Sequence, residues 1–84
     1  MIELAYEPDA QRTAAYIDGE LIGECDYEVR NGAWYIMHTE TNPAFQGKGI
    51  ARELVNMLAA EANARGIQVV PVCSYAVKVL GGQN

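Results

Sequence analysis

Gln46-Gly47-Lys48-Gly49-Ile50-Ala51 joins a strand-like run that ends near Glu40 to a strongly helical run that begins near Gly49. Two glycines in three residues predict a tight turn whose successive backbone N–H groups point one way. The helix behind it adds its own unpaired N–H groups and the positive end of its dipole. Such a turn is a receptor for phosphate or pyrophosphate, and Lys48 brings a mobile positive charge to it. Two common phosphate loops do not fit. The dinucleotide fingerprint needs a third glycine where Arg52 stands, and the P-loop spacing ahead of Gly-Lys-Ser/Thr is absent. The hexamer fits Gln/Arg-x-x-Gly-x-Gly/Ala through Gln46, Gly49 and Ala51. The plain alternative is a glycine-bearing turn into a helix that binds nothing, so the flanking residues decide.

Toward the C-terminus, a helix is predicted from about Gly49 to Arg65. Ile50, Leu54, Met57, Leu58 and Ala62 form its buried stripe, and Arg52, Glu53, Asn56 and Asn63 face water. Gly66 stops it in the usual C-terminal position. Ile67 to Val72 predicts a buried fifth strand. The order strand, helix, strand implies a parallel, right-handed crossover that sets the fifth strand beside the fourth. Ser74 is placed to cap a short final helix, Tyr75 to Leu80, and Gly81-Gly82-Gln83-Asn84 reads as a frayed tail.

Toward the N-terminus, Ala33 to Thr39 is a fourth strand, apolar on both faces and therefore central. Asn42-Pro43 breaks the chain after it. Asn31-Gly32 and Asp18-Gly19 are tight hairpin signals. Between them Leu21 to Arg30 alternates cleanly. Leu21, Gly23, Cys25, Tyr27 and Val29 share a core face, and Glu24, Asp26, Glu28 and Arg30 share a wet one. Arg12 to Ile17 and Ile2 to Tyr6 are two further strands, separated by Glu7-Pro8-Asp9. The expected fold is α+β: antiparallel strands plus one parallel strand pair flanking a central helix. The glycine turn lies at the carboxyl end of the fourth strand, where ligands of such sheets bind.

The 84 residues make one domain, 1–84, with a single core. A formal charge of -5 argues against a nucleic-acid surface and is compatible with a cationic substrate such as an amine. No apolar run approaches a membrane span and no leader pattern is visible, so a cytoplasmic protein is expected. In that compartment Cys25 and Cys73 are expected as free thiols. His38 is the only histidine and the spacing matches no metal site. Cys25 is expected to pack as a small hydrophobe.

Three segments converge on the glycine turn: His38-Thr39-Glu40-Thr41, Gln46 to Ala51, and Pro71-Val72-Cys73-Ser74-Tyr75. Read together, His-Thr-Glu-x-x-Pro-x-Phe-x-Gly-Lys-Gly-Ile-Ala and Val-Pro-x-Cys-Ser-Tyr resemble the small, single-domain branch of the GCN5-related N-acetyltransferase (GNAT) superfamily. The resemblance runs from Leu21 to Tyr75. It implies a minimal acyl-CoA N-acyltransferase fold and an acetyl-CoA-dependent N-acetyltransferase that moves an acetyl group to an amine acceptor. The implied coenzyme-binding residues are Gln46, Gly47, Lys48, Gly49, Ile50 and Ala51 at the pyrophosphate, and Thr39 and Thr41 pairing through their backbone with pantetheine. Ser74 joins them at the mouth of the fifth strand, and Phe45 helps to shape the turn.

Free N–H groups at the end of the fourth strand are placed to stabilise a thioester oxyanion. Glu40 is the candidate base, against a plain reading as a solvated strand-end carboxylate. His38 reads first as a packed strand residue. Tyr75 is the candidate acid for the departing thiolate. Cys73, beside a helix N-terminus that lowers thiol pKa, is a candidate to accept the acetyl group and pass it on, or to line the thioester pocket without reacting. The family usually continues after Cys-Ser-Tyr with a longer aromatic and charged helix, often with a His-Pro pair, and Ala76 to Leu80 departs from that. The alternative reading is therefore a coenzyme A or acetyl-CoA-binding module with little or no turnover. No nucleic acid, membrane or metal is expected as a partner, and the oligomeric expectation is a monomer or weak homodimer.

Overall fold

The structure, a computed structural model, describes residues 1–81. Most of the proposed tail, residues 82–84, lies outside the described residues. Five strands form one sheet in chain order: β1 (Ile2–Glu7), β2 (Arg12–Ile17), β3 (Glu20–Arg30), β4 (Ala33–Thr41) and β5 (Val69–Pro71). The first three pairings are antiparallel, and β4 with β5 is parallel. Helix α1 (Ile50–Ala64) makes the crossover and covers one face of the sheet, and a short α2 (Ser74–Val79) follows β5. The mixed sheet with a single parallel pair is the α+β arrangement that the strand and turn signals predict. Both hairpin dipeptides adopt the left-handed pair that a two-residue loop requires, with φ of 50° and 81° at Asp18-Gly19 and 52° and 79° at Asn31-Gly32.

The core lies between α1 and the sheet. Trp34 anchors an aromatic cluster within it: Tyr27 stacks on it with ring centroids 4.1 Å apart, and Tyr6 lies 5.9 Å away. The hydroxyls of the half-buried Tyr6 and the buried Tyr27 meet at 2.9 Å, so each phenol keeps a polar partner. The fully buried Thr13 hydroxyl donates to the Leu54 carbonyl at 2.9 Å, pinning α1 to β2.

Four expectations are corrected. In β3, Leu21 and Val29 are exposed while Ile22 is buried. The cause is a bulge: Ala15 pairs with Gly23 and Tyr16 with Leu21, leaving Ile22 as an extra residue. One inserted residue exchanges the faces of what precedes it. Ile22 thus turns into the core, and its carbonyl accepts the Asn42 N–H at 2.7 Å. Val29 is exposed where the strand runs out toward its hairpin. On α1, Ile50, Leu54, Leu58 and Ala62 are buried as expected, but Val55 and not the half-buried Met57 completes the stripe. The fifth strand is shorter than Ile67 to Val72, half-buried and at the sheet edge. Finally, α2 begins at Ser74, and its N-cap is Cys73.

The other face of the sheet carries charged side chains in ordered contacts. Arg12 bonds Glu7 and Glu24, each at 2.8 Å, and the Tyr16 hydroxyl donates to Glu7 at 2.6 Å. His38 contacts Asp26 at 3.2 Å, and Arg30 both pairs with Glu28 and lies over the Tyr35 ring. These contacts hold the Glu7 carboxyl below its ordinary value, through the Tyr16 hydrogen bond first and Arg12 second.

Candidate active site

The site begins with a second bulge. Across β3 and β4, Asp26 pairs with His38 and Tyr27 with Ile36, so Met37 is an extra residue in β4. Before it, Trp34 and Ile36 point into the core. After it the faces exchange. Thr39 and Thr41 now lie on the side of α1, while His38 and Glu40 are exposed on the charged face. An unbulged strand would carry Glu40 on the same face as Trp34 and Ile36.

The parallel partner ends at the same level. The pairing of β4 with β5 stops at Ile36 opposite Pro71. The Val72 and Cys73 N–H groups both donate to the Ile36 carbonyl, at 3.0 and 3.1 Å, and close off the ladder. Beyond it the chain turns into α2, and the remainder of β4 has one flank without a paired strand among the described residues.

This flank opens on a cavity of about 450 Å³. Thr39 and Thr41 line one wall, Phe45, Gln46, Gly47, Gly49, Ile50 and Ala51 the next, and Tyr75 the third. The turn that forms the middle wall is fastened locally. Asn42 accepts the Ala44 N–H on its side chain at 2.9 Å, Phe45 N–H donates to the Asn42 carbonyl at 2.8 Å, and Gln46 Nε2 reaches the Thr41 carbonyl at 3.5 Å. Gly47 and Gly49 have φ of 83° and 79°, and a Cβ on either would touch nothing within 4 Å. The left-handed backbone, and not crowding, is what calls for glycine at both.

The first helical hydrogen bond of α1 runs from Glu53 N–H to the Gly49 carbonyl, and no side chain caps the helix. The N–H groups of Ile50, Ala51 and Arg52 therefore precede the first intrahelical bond. They stand at the positive end of a 15-residue helix whose opening residues line the cavity. On the opposite wall the Thr41 hydroxyl is buried with no partner. A cavity with apolar sides, a hydroxyl lacking an acceptor, and uncapped helix donors at one end fits a ligand with an anionic end and an amide-bearing arm.

The expected residues fall into three groups. Thr39, Thr41, Gln46, Gly47, Gly49, Ile50, Ala51 and Tyr75 meet around one cavity. Lys48 and Ser74 are exposed beside it and do not line it. Glu40 lies on the far side of β4, in a shallower hollow of about 250 Å³ with Glu24, its cross-strand neighbour, and Leu21, Gly23, Asn42 and Pro43. Thr41 lines both hollows.

Cys73 stands just behind the first wall. Its Sγ accepts the Ala76 N–H at 3.4 Å as the cap of α2 and lies 3.5 Å from the Thr39 hydroxyl. Thr39 also donates to Cys25 at 3.6 Å. Cys25 is fully buried as expected, and burial pushes its thiol up to about 11. The link from Cys25 through Thr39 to Cys73 has no signature in the sequence, because it depends on the Met37 bulge. Among the described residues no group of His, Cys, Asp and Glu is arranged to hold a metal ion, and no helix is long and apolar enough to cross a membrane.

A family model described as GCN5-related N-acetyl-transferase matches residues 12–84. No curated protein matches the chain. Among solved structures, the ribosomal-protein-alanine N-acetyltransferase of Brucella melitensis biovar Abortus 2308 is similar at 26% identity and a TM-score of 0.64, over 74% of this chain and 49% of that one. A predicted acetyltransferase from Clostridium acetobutylicum, solved with acetyl-CoA, is similar at 22% identity and a TM-score of 0.67, over 87% and 57%. Glucosamine-6-phosphate N-acetyltransferase from Arabidopsis thaliana is similar at 20% identity and a TM-score of 0.62, over 86% and 56%. The chain thus spans about half the length of these structures.

Proposed function

Because the chain belongs to the GCN5-related N-acetyltransferase family, we propose that it transfers the acetyl group of acetyl-CoA to an amine. The observation that carries this reading is the cavity where β4 parts from β5, with Thr39 and Thr41 on one wall and the glycine turn and uncapped start of α1 on the next. The backbone N–H groups around Gly47 to Ala51 receive the pyrophosphate, and Gln46 and Lys48 flank it. The free flank of β4 at Thr39 to Thr41 pairs with the amides of the pantetheine arm as an added strand. Ser74 and Tyr75 bound the thioester end.

Three tasks remain for the chain: to take a proton from the amine, to stabilise charge on the thioester oxygen, and to protonate the departing sulfur. Glu40 takes the first role, directly or through water, for an amine that approaches from the charged face of the sheet. Unpaired N–H groups of β4 take the second. Tyr75 is one candidate for the third. Cys73 as an acetyl acceptor requires that its sulfur reach past Thr39, which lines the cavity while Cys73 does not.

One observation favours the second reading, a coenzyme-binding module without turnover: Glu40 and the cavity occupy opposite faces of β4. The test is a thiol-release assay with acetyl-CoA and free lysine, spermidine and glucosamine as acceptors, with calorimetry on acetyl-CoA in parallel. Release that depends on an amine and falls at least tenfold in Glu40→Gln supports the enzyme. Binding without release supports the module, and absence of binding removes both.

A further inference from the structure

Thr39 has one hydroxyl proton and two sulfur neighbours. Its contact with Cys25 has Thr39 as the donor, at 3.6 Å. In its contact with Cys73, at 3.5 Å, either atom can donate. With the single proton of Thr39 committed to Cys25, the second contact is Cys73 S–H donating to the Thr39 oxygen. Cys73 Sγ meanwhile accepts the Ala76 N–H at 3.4 Å, which holds the thiol in place behind Thr39. The resting line of protons therefore runs from the Cys73 thiol through the Thr39 hydroxyl to the buried Cys25, and Thr39 is its one member on the cavity wall. Sulfur is a weak hydrogen-bonding partner.

We infer that the Thr39 hydroxyl is the proton donor to the departing thiolate, replenished by the Cys73 thiol behind it. This rests on the acetyl-transfer reading above and assigns the step that Tyr75 alone was a candidate for. As the amine nitrogen bonds to the acetyl carbon and the carbon–sulfur bond breaks, its electron pair passes to the coenzyme sulfur. The Thr39 hydroxyl turns from Cys25 to that sulfur and gives it a proton, forming S–H. The Cys73 proton moves to the Thr39 oxygen, and Cys73 remains as a thiolate held by the Ala76 N–H. The proton shed by the amine nitrogen enters solvent through Glu40, and solvent reprotonates Cys73. Thr39 is the residue that touches the reacting atoms. Cys73 acts through it, as a positioning and proton-reserve residue, and its sulfur need not enter the cavity.

The test is a double-mutant cycle on kcat, using acetyl-CoA and whichever of the three amines gives the fastest thiol release. Thr39→Val should lower kcat by about 100-fold, the lower range for a general acid, with KM for acetyl-CoA within twofold of wild type. Thr39→Ser should restore kcat to within roughly threefold of wild type, since the hydroxyl returns. Cys73→Ala should lower kcat on the wild-type background and have no further effect on Thr39→Val. Cys73→Ser should keep more of kcat than Cys73→Ala, because a hydroxyl still donates to Thr39 from the same place. Melting curves identify any variant that fails to fold, and Thr39→Val, which keeps the size and loses the hydroxyl, against Thr39→Ser, which keeps the hydroxyl, then decides. A wild-type kcat in Thr39→Val, or losses from Thr39→Val and Cys73→Ala that multiply, overturns the relay. Acetyl-CoA binding without turnover of any amine overturns the relay and leaves the coenzyme site standing. Absence of binding removes the acetyltransferase reading itself.

Discussion

The two halves of β4 perform different tasks, and one residue divides them. From Trp34 to Ile36 the strand is paired on both sides, and its inward side chains, Trp34 and Ile36, are core. From His38 to Thr41 it keeps only its β3 partner, and its inward side chains are two threonines whose hydroxyls find weak sulfur partners or none. Met37 is the extra residue between them. The first half stores stability. The second half leaves hydrogen-bonding groups unspent, which is poor for folding and useful for binding. Substitutions should therefore separate by half, with stability lost on one side of Met37 and ligand binding lost on the other.

The largest effect is expected at Trp34. Trp34→Ala should cost about 3–5 kcal/mol. Against the roughly 4–13 kcal/mol expected of a chain this size at about 0.05–0.15 kcal/mol per residue, that removes a large share of the stability, read as a lower midpoint in urea denaturation. Next comes Gly49→Val. A β-branched residue at a φ of 79° is strained. The turn should reshape, with acetyl-CoA affinity down by at least tenfold in calorimetry and far-UV dichroism little changed.

The pH dependence of stability should sharpen the contrast. The folded state lowers the Glu7 pKa below its ordinary 4.5. The stability it contributes is present above that pH and is lost as acid protonates it. Burial raises the Cys25 pKa from 9.0 to about 11. Its contribution is full below pH 9 and is lost as pH rises toward 11. Cys25→Ala should flatten the alkaline limb in denaturation across pH and leave the acid limb in place.

The smallest stability effect is expected at Thr41. Thr41→Val removes a buried hydroxyl that has no partner. It should leave stability unchanged or raise it by up to about 1 kcal/mol, while acetyl-CoA binding weakens. A stability loss comparable to that of Trp34→Ala would erase the distinction between the two halves.

Much of the frame was legible from the residues. The alternation from Leu21 to Arg30, the Asp18-Gly19 and Asn31-Gly32 turns, and the apolar stripe ended by Gly66 give four antiparallel strands, a crossover helix and a parallel fifth strand. The residues of the glycine turn other than Lys48 do meet Thr39, Thr41 and Tyr75 around one cavity. What could not be read depends on counting across strands. Neither bulge has a local signature: Ile22 and Met37 are ordinary strand residues, and they become extra only because of the register of the neighbouring strand. The first bulge reversed the expected places of Leu21 and Ile22. The second puts Glu40 and the two threonines on opposite faces and brings Cys25 and Cys73 to one hydroxyl. Cap geometry was hidden for a similar reason. Ser74 is the stronger capping residue by type, yet Cys73 is the one with extended backbone at the helix start.

The most direct test is a titration of the isotope-labelled protein with acetyl-CoA, following backbone amide NMR signals. The amides of Thr39, Thr41 and Gly47 to Ala51 should shift together along one binding curve, while those of Trp34, Tyr35 and Ile36 stay in place. Shifts concentrated on the first half of β4, or no shifts at millimolar ligand, would contradict the division of labour at Met37 and the coenzyme site with it.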